Sequence, residues 1–223
     1  MPKTPVVILG SVGNCLDIAD AIHTIAETSE QSGYELLGFL DDDPSRHGKI
    51  IHGLPVLGPL IKAKTLEGVK FVNGIGSSRN FTQKEKILSN TGLAANRFIS
   101  IIHPKAVISP SAHIAIGTVI LGNVTVCANA KIGSHIMILP NCVIGHDSII
   151  GDYTTMAAGV IISGSVTVGP HCYLGAGSVI RENITIGEES LLGMGAVLTK
   201  NLPSSQIFVG NPAKLLKNIP EAV

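Results

Sequence analysis

The second half of the chain repeats. Counted in sixes from Ala106 it reads AVISPS, AHIAIG, TVILGN, VTVCAN and so on, without a slip to Asn201. In all sixteen hexads, from Ile108 to Leu198, the third residue is Ile, Val, Leu or, once, Met. A strand sends alternate side chains to opposite faces. One obligatory inward residue in six therefore predicts a short strand and a corner. The first residue of each hexad is small or branched, which suits a narrow interior. The fourth is often Gly, Ser or Ala, where the chain turns and bulk would clash. Three such edges close a triangular coil, and coils stack at the interstrand spacing of ~4.8 Å. The predicted prism has a little over five coils and is about 25 Å long.

Residues 1–104 lack the hexad pattern. PVVILG reads as a buried parallel strand, and SVGN as a tight turn. From Cys15 apolar residues recur at helical spacing up to Gly33. YELLGFLDDD and VKFVNGIGSS are two further strands, NFTQKEKILSNTG a second helix, and RFISIIHP leads into the prism. This βαβ order predicts a small parallel sheet with helices on its faces. Ligands of such sheets sit at the carboxyl ends of the strands, here 10–14, 41–43 and 74–78. The loop GSVGN is not a complete GxGxxG, which disfavours a nicotinamide-dinucleotide dehydrogenase. The tail NLPSSQIFVGNPAKLLKNI is expected to be irregular and then a short helix, covering the strand edges of the last coil. The N-terminal unit would cover the first coil.

Composition narrows the classes. Aromatic residues are 4% of the 223 and Trp is absent, so the core is aliphatic. Lys plus Arg and Asp plus Glu balance at 16 each, which excludes a general nucleic-acid or acidic-membrane binder. No apolar run reaches the length of a membrane span, and the N-terminus lacks the features of a signal peptide. Cys15, Cys127, Cys142 and Cys172 form no CxxC pair and read as reduced, mostly buried residues of a cytoplasmic protein.

The hexad array resembles the hexapeptide-repeat acyltransferases, whose rod is a left-handed parallel β-helix. That handedness comes from the resemblance; the general crossover rule favours the opposite hand. The full order is narrower still. A FLDD strand end, a GIG strand end, an HP lead-in, the hexads and a closing FVGNPAK are similar to the sialic acid O-acetyltransferase and nucleotide-amino-sugar N-acetyltransferase family over nearly the whole chain. The resemblance implies an α/β Rossmann-like domain over 1–104 that holds a nucleotide-sugar. It implies a left-handed parallel β-helix over 105–201 that binds acetyl-CoA, and a capping tail over 202–223. It also implies a homotrimer with active sites between chains.

His146 and Asp147 end one hexad, with His146 at the fifth position, on a corner. In an arbitrary hexad protein this would be a solvated corner histidine. The resemblance makes the pair catalytic: His146 takes the proton from an attacking amine, and Asp147 biases the ring tautomer. The developing oxyanion needs a donor, which the sequence does not identify. Carried over position by position, the nucleotide-sugar lies near Val12, Gly13, Asn14, Asp41, Asp42 and Gly76. Asp42 reads equally as a base or ribose acceptor and as a polar turn residue. Acetyl-CoA lies near Thr155, Ala176, Gly193 and Met194, with Lys200, Lys214 and Lys217 as candidates for its phosphates. Two departures stand out. Thr155 replaces a histidine that the family has nine residues after the first, and Asn14 replaces another in the N-terminal loop. No catalytic metal is expected, because His135 and His171 lie two coils apart, about 10 Å. The alternatives left open are O-acetylation of sialic acid or another sugar, and a non-catalytic nucleotide-sugar scaffold.

Overall fold

In β1 (Thr4–Leu9), Val6, Val7, Ile8 and Leu9 are all fully buried. Val6 and Ile8 join one core, Val7 and Leu9 another. Both faces of the strand are covered, and so its apolar run does not alternate with polar residues. The computed structural model describes residues 3–28 and 33–220. After β1 come helix α1 (Asn14–Thr28), β2 (Tyr34–Leu40), a small hairpin of β3 (Ile50–Ile51) and β4 (Leu54–Pro55), β5 (Lys70–Asn73) and helix α2 (Lys84–Ser89). The main sheet has the order β2-β1-β5, all parallel. The predicted end of the first helix falls partly on 29–32, outside the described residues. The second predicted helix is a 3-10 turn, Phe81–Gln83, followed by the short α2.

The hexads build a parallel β-helix of about six turns. Two-residue strands run from Ile101–Ile102 to Val197–Leu198 and stack in three ladders. Each residue pairs with the one a coil later, as in Thr125↔Val143 and Ile149↔Thr167. Third-position side chains from Ile120 to Leu198 are buried in one continuous core. First-position hydroxyls are buried too, and three of them donate to a carbonyl of the next coil: Thr118 to Gly133 at 2.8 Å, Ser148 to Ser163 at 3.0 Å and Thr154 to Gly169 at 3.2 Å, whereas Ser178 Oγ has no partner among the described residues. Cys142 and Cys172 bond in the same way, so at these positions a thiol stands in for a hydroxyl. Fourth-position glycines answer to the next coil: a Cβ on Gly145 would come within 2.4 Å of the Ser163 backbone. The left-handed turn residue is the sixth, for example Asn123 at φ 59° and Asp147 at φ 59°, which accounts for the Asn, Asp and Gly recurring there.

Second-position side chains point outward and define three faces. An apolar face carries Val107, Thr125, Val143, Ile161, Val179 and Val197. A mixed face carries His113, Lys131, Ile149, Thr167 and Thr185. The third, with Val119, Met137, Thr155, Tyr173 and Leu191, is docked against the N-terminal unit. Val119, Leu121 and Met137 share a core with Ile18 and Ile22 of α1, and Phe81 packs on Tyr173 at 6.2 Å. The N-terminal unit therefore lies along the side of the rod, not over its first coil as the sequence suggested. The reason is apolar: the docked face offers Val, Met, Tyr and Leu, against which a helix and loop can bury surface.

The tail departs from expectation as well. In place of a short helix, Gln206–Val209 extends the docked-face ladder beside Leu191–Leu192, and Lys214–Asn218 returns antiparallel to it. Gly210 at φ 94° turns the chain between them. Leu215 and Leu216 on this last strand are both exposed, at 52% and 60%.

Candidate active site

His146 stands on the corner between the apolar and mixed faces. Its side chain is 65% exposed, and Nδ1 lies 2.7 Å from Asp147 Oδ2. The other carboxylate oxygen of Asp147 accepts from Asn129 Nδ2 at 3.0 Å. The hydrogen bonds from His146 and Asn129 hold the Asp147 carboxyl below its usual range. An ionised Asp147 accepts a hydrogen bond from Nδ1–H, which leaves Nε2 of the neutral ring as a free acceptor. The ring lies over Gly164, one coil on: a Cβ there would sit 2.5 Å from Nε2. The N–H of Gly164 makes no hydrogen bond among the described residues.

A second site opens where the predicted crevice should be, at the carboxyl ends of β1, β2 and β5. It is a cleft of about 340 Å³ lined by Ser11, Val12, Gly13, Asn14, Asp41 and Gly76, among others. Burial by itself would raise the Asp41 carboxyl. Hydrogen bonds from Ser11 Oγ at 2.5 Å and the Asp43 N–H at 2.9 Å, with Arg46 at 2.9 Å, instead hold it low. The cleft faces the docked side of the rod: Asn14 Nδ2 is 3.4 Å from Met137 Sδ, and Gly76 abuts Thr155.

Two expected contacts are not where the sequence put them. Asp42 does not line the cleft; its carboxylate accepts the Leu60 N–H at 2.8 Å and fixes the start of the turn Leu60–Thr65. Thr155 is 1% exposed, on the docked face, and its hydroxyl accepts from Lys84 Nζ at 3.3 Å. It is closed to a thioester because the N-terminal unit covers it. Ala176 and Met194 are exposed, one coil apart on the corner between the docked and apolar faces, with Gly193 half-buried beside Met194. Lys200 stands two coils past Gly164 on the His146 corner, whereas Lys214 and Lys217 are on the exposed last strand.

Sequence reading missed Asn129, Gly164, Arg46 and Lys84. The first two carried a signal: each lies eighteen residues, one coil, from Asp147 or His146. Arg46 and Lys84 carried none, because loop and helix packing place them.

Two further histidines of the rod, His135 and His171, are packed against the docked unit. Tyr153 is stacked between His135 and His171 at 5.3 and 5.1 Å, and Glu85 bonds His171 at 3.2 Å. Among the described residues no group of three His, Cys, Asp or Glu is placed to hold a metal ion. No described helix is long and apolar enough to cross a membrane.

Residues 129–164 and 165–200 match the bacterial transferase hexapeptide (six repeats) family. The chain resembles the perosamine N-acetyltransferase of Caulobacter crescentus, solved as a histidine-to-asparagine mutant with CoA and GDP-perosamine. The TM-score is 0.83 at 26% identity, over 96% of this chain and 97% of that one. It also resembles the acetyltransferase domain of PglB from Neisseria gonorrhoeae FA1090 in complex with acetyl coenzyme A, with TM-score 0.81, 25% identity and coverage of 96% and 100%. WeeI from Acinetobacter baumannii AYE aligns with TM-score 0.81, 26% identity and the same coverage. No curated protein matches the sequence. The rod carries the hexapeptide-transferase repeat over 129–200, and the chain is an acyltransferase. These neighbours support the acyltransferase family, not its sialic acid O-acetyltransferase branch in particular.

Proposed function

We propose that the chain transfers acetyl from acetyl-CoA to the amino group of a nucleotide-linked amino sugar, for bacterial glycan synthesis in the cytoplasm. One observation carries the reading: an exposed imidazole whose Nδ1 is committed to an anchored carboxylate and whose Nε2 is free. The amine attacks the thioester carbonyl carbon, and Nε2 takes the proton the nitrogen sheds. Collapse of the tetrahedral adduct breaks the C–S bond, and the imidazolium returns the proton to the leaving thiolate. Gly164, with its N–H unbonded beside the ring, is the nearest candidate donor to the oxyanion. No covalent enzyme intermediate is needed, since the thioester is already activated. The neighbouring perosamine enzyme, crystallised with CoA and GDP-perosamine as mutants in which the same histidine is asparagine or alanine, supports a histidine base.

The prism adds a geometric requirement. The His146 corner is opposite the docked face, whereas the cleft opens beside that face. One chain's own base therefore stands across the rod from its own cleft, and a working site takes the cleft of one chain and His146 of another. The apolar face supports such an assembly as a trimer: Val107 and Ile161 are 65% and 43% exposed on it. The test is to mix the protein with acetyl-CoA and a panel of UDP- and GDP-linked amino sugars and follow thiol release. Turnover of a 4-amino sugar nucleotide is expected. Turnover of free sialic acid alone would overturn the reading.

A further inference from the structure

Lys84 is fully buried at the first position of α2. Its ammonium has one hydrogen bond, to Thr155 Oγ1 at 3.3 Å, and no carboxylate within salt-bridge reach among the described residues. Burying a cation without a counter-charge is costly, so the missing anion asks for a source. The wall beside Nζ is Gly76. A Cβ on that residue would lie 3.5 Å from Nζ and 2.8 Å from Thr155 Oγ1, so the wall is one backbone thick. Its other side is the cleft. The cleft's own carboxylate, Asp41, is already neutralised by Arg46.

We propose that Lys84 is a specificity-determining positioning residue, whose ammonium acts through Gly76 to make the cleft select a nucleoside diphosphate over the uncharged nucleoside. The inference rests on the nucleotide-sugar reading above. It adds a charge that the ligand never touches. A cation and a phosphate on the order of 8 Å apart, in the intermediate dielectric near a protein surface, give about a tenfold preference.

Burial pushes the Lys84 ammonium down to about 7. The groups facing it do not supply the missing anion. His135 on the rod is pushed down to about 4 by burial, helped by Lys84 itself. Asp152 and Tyr153 lie on the same corner, and Glu85 on α2 is committed to His171. An anion in the cleft favours the charged form, so binding at pH 8 takes up a proton.

The experiment is calorimetric titration of UDP, GDP, uridine and guanosine into the wild type, Lys84→Met and Lys84→Gln, in two buffers of different ionisation heat. In both variants the diphosphate-to-nucleoside affinity ratio is expected to fall about tenfold, with nucleoside affinity unchanged and proton uptake lost. A ratio unchanged in folded variants, or an equal loss for nucleoside and diphosphate, overturns the role of Lys84 alone. Failure of the wild type to bind either diphosphate overturns the nucleotide reading and this inference with it.

Discussion

Gly164→Ala separates catalysis from folding more cleanly than removing the histidine does. The new Cβ would lie 2.5 Å from His146 Nε2 and 2.6 Å from Cε1. Carbon contacts normally settle near ~3.5–4.0 Å, so the ring must retreat by about 1 Å. The His146 side chain is exposed and can move, so the fold need not pay. Gly164 also has an ordinary backbone φ, outside the left-handed region, and alanine is tolerated there. Stability should change by no more than about 1 kcal/mol, in the favourable direction if at all. Activity should not be spared, because the displaced ring leaves its anchor on Asp147. A misplacement of about 1 Å at a reacting group costs on the order of 10²-fold. The assay is thiol release at saturating acetyl-CoA and sugar nucleotide, beside thermal unfolding of the same samples. Gly145→Ala is the contrast. Its Cβ meets Ser163 backbone at 2.4 Å, so it should lose about 1–3 kcal/mol of stability. A Gly164→Ala enzyme with wild-type kcat would refute the placement of the base.

His146→Ala should lower kcat by ~10²–10⁴ with unfolding unchanged, because a positioned base contributes about that much; equal loss of fold and rate would count against a catalytic role. Lys84 gives a pH signature. Its folded value of about 7 lies below the ordinary lysine value of 10.5, so between those limits the unfolded chain binds more protons, and stability climbs as pH rises. Urea unfolding should show Lys84→Met more stable than wild type at pH 7, with the gap narrowing by up to ~1.4 kcal/mol per pH unit towards pH 9; a gap independent of pH would contradict the burial of a charged amine. If the chain assembles as the proposed trimer, Ile161→Asp on the apolar face should leave a monomer by light scattering and abolish turnover; an active monomer would remove the need for a second chain.

The rod was legible because its rule is local. One inward aliphatic per six residues fixes the third position, and the chain has no freedom to shift register without exposing Ile144 or Ile150. The three strand ends of the N-terminal unit were legible for the same reason, and five of the six residues expected there line one cleft. What failed depended on packing between distant segments. Asp42 follows Asp41 in sequence, but only the loop to Leu60 decides that one carboxylate braces a turn while its neighbour faces the cleft. Thr155 sits at a position that family comparison marks for the acyl donor, and only docking of α2 shows that it is buried under Lys84. The tail's leucines fit a helix or a hairpin equally, and Gly210 with its positive φ decided for the hairpin.

The central claim is that the base and the sugar cleft of one working site come from different chains. Mixing two inactive enzymes tests it most directly: His146→Ala, and a cleft variant such as Gly76→Leu, whose side chain would meet Thr155 and Lys84. Unfolded and refolded together, the pair should recover a substantial fraction of wild-type thiol release, because some interfaces then join an intact cleft to an intact His146. Activity no greater than that of the separate mutants, from verified mixed trimers, would show that each chain completes its own site.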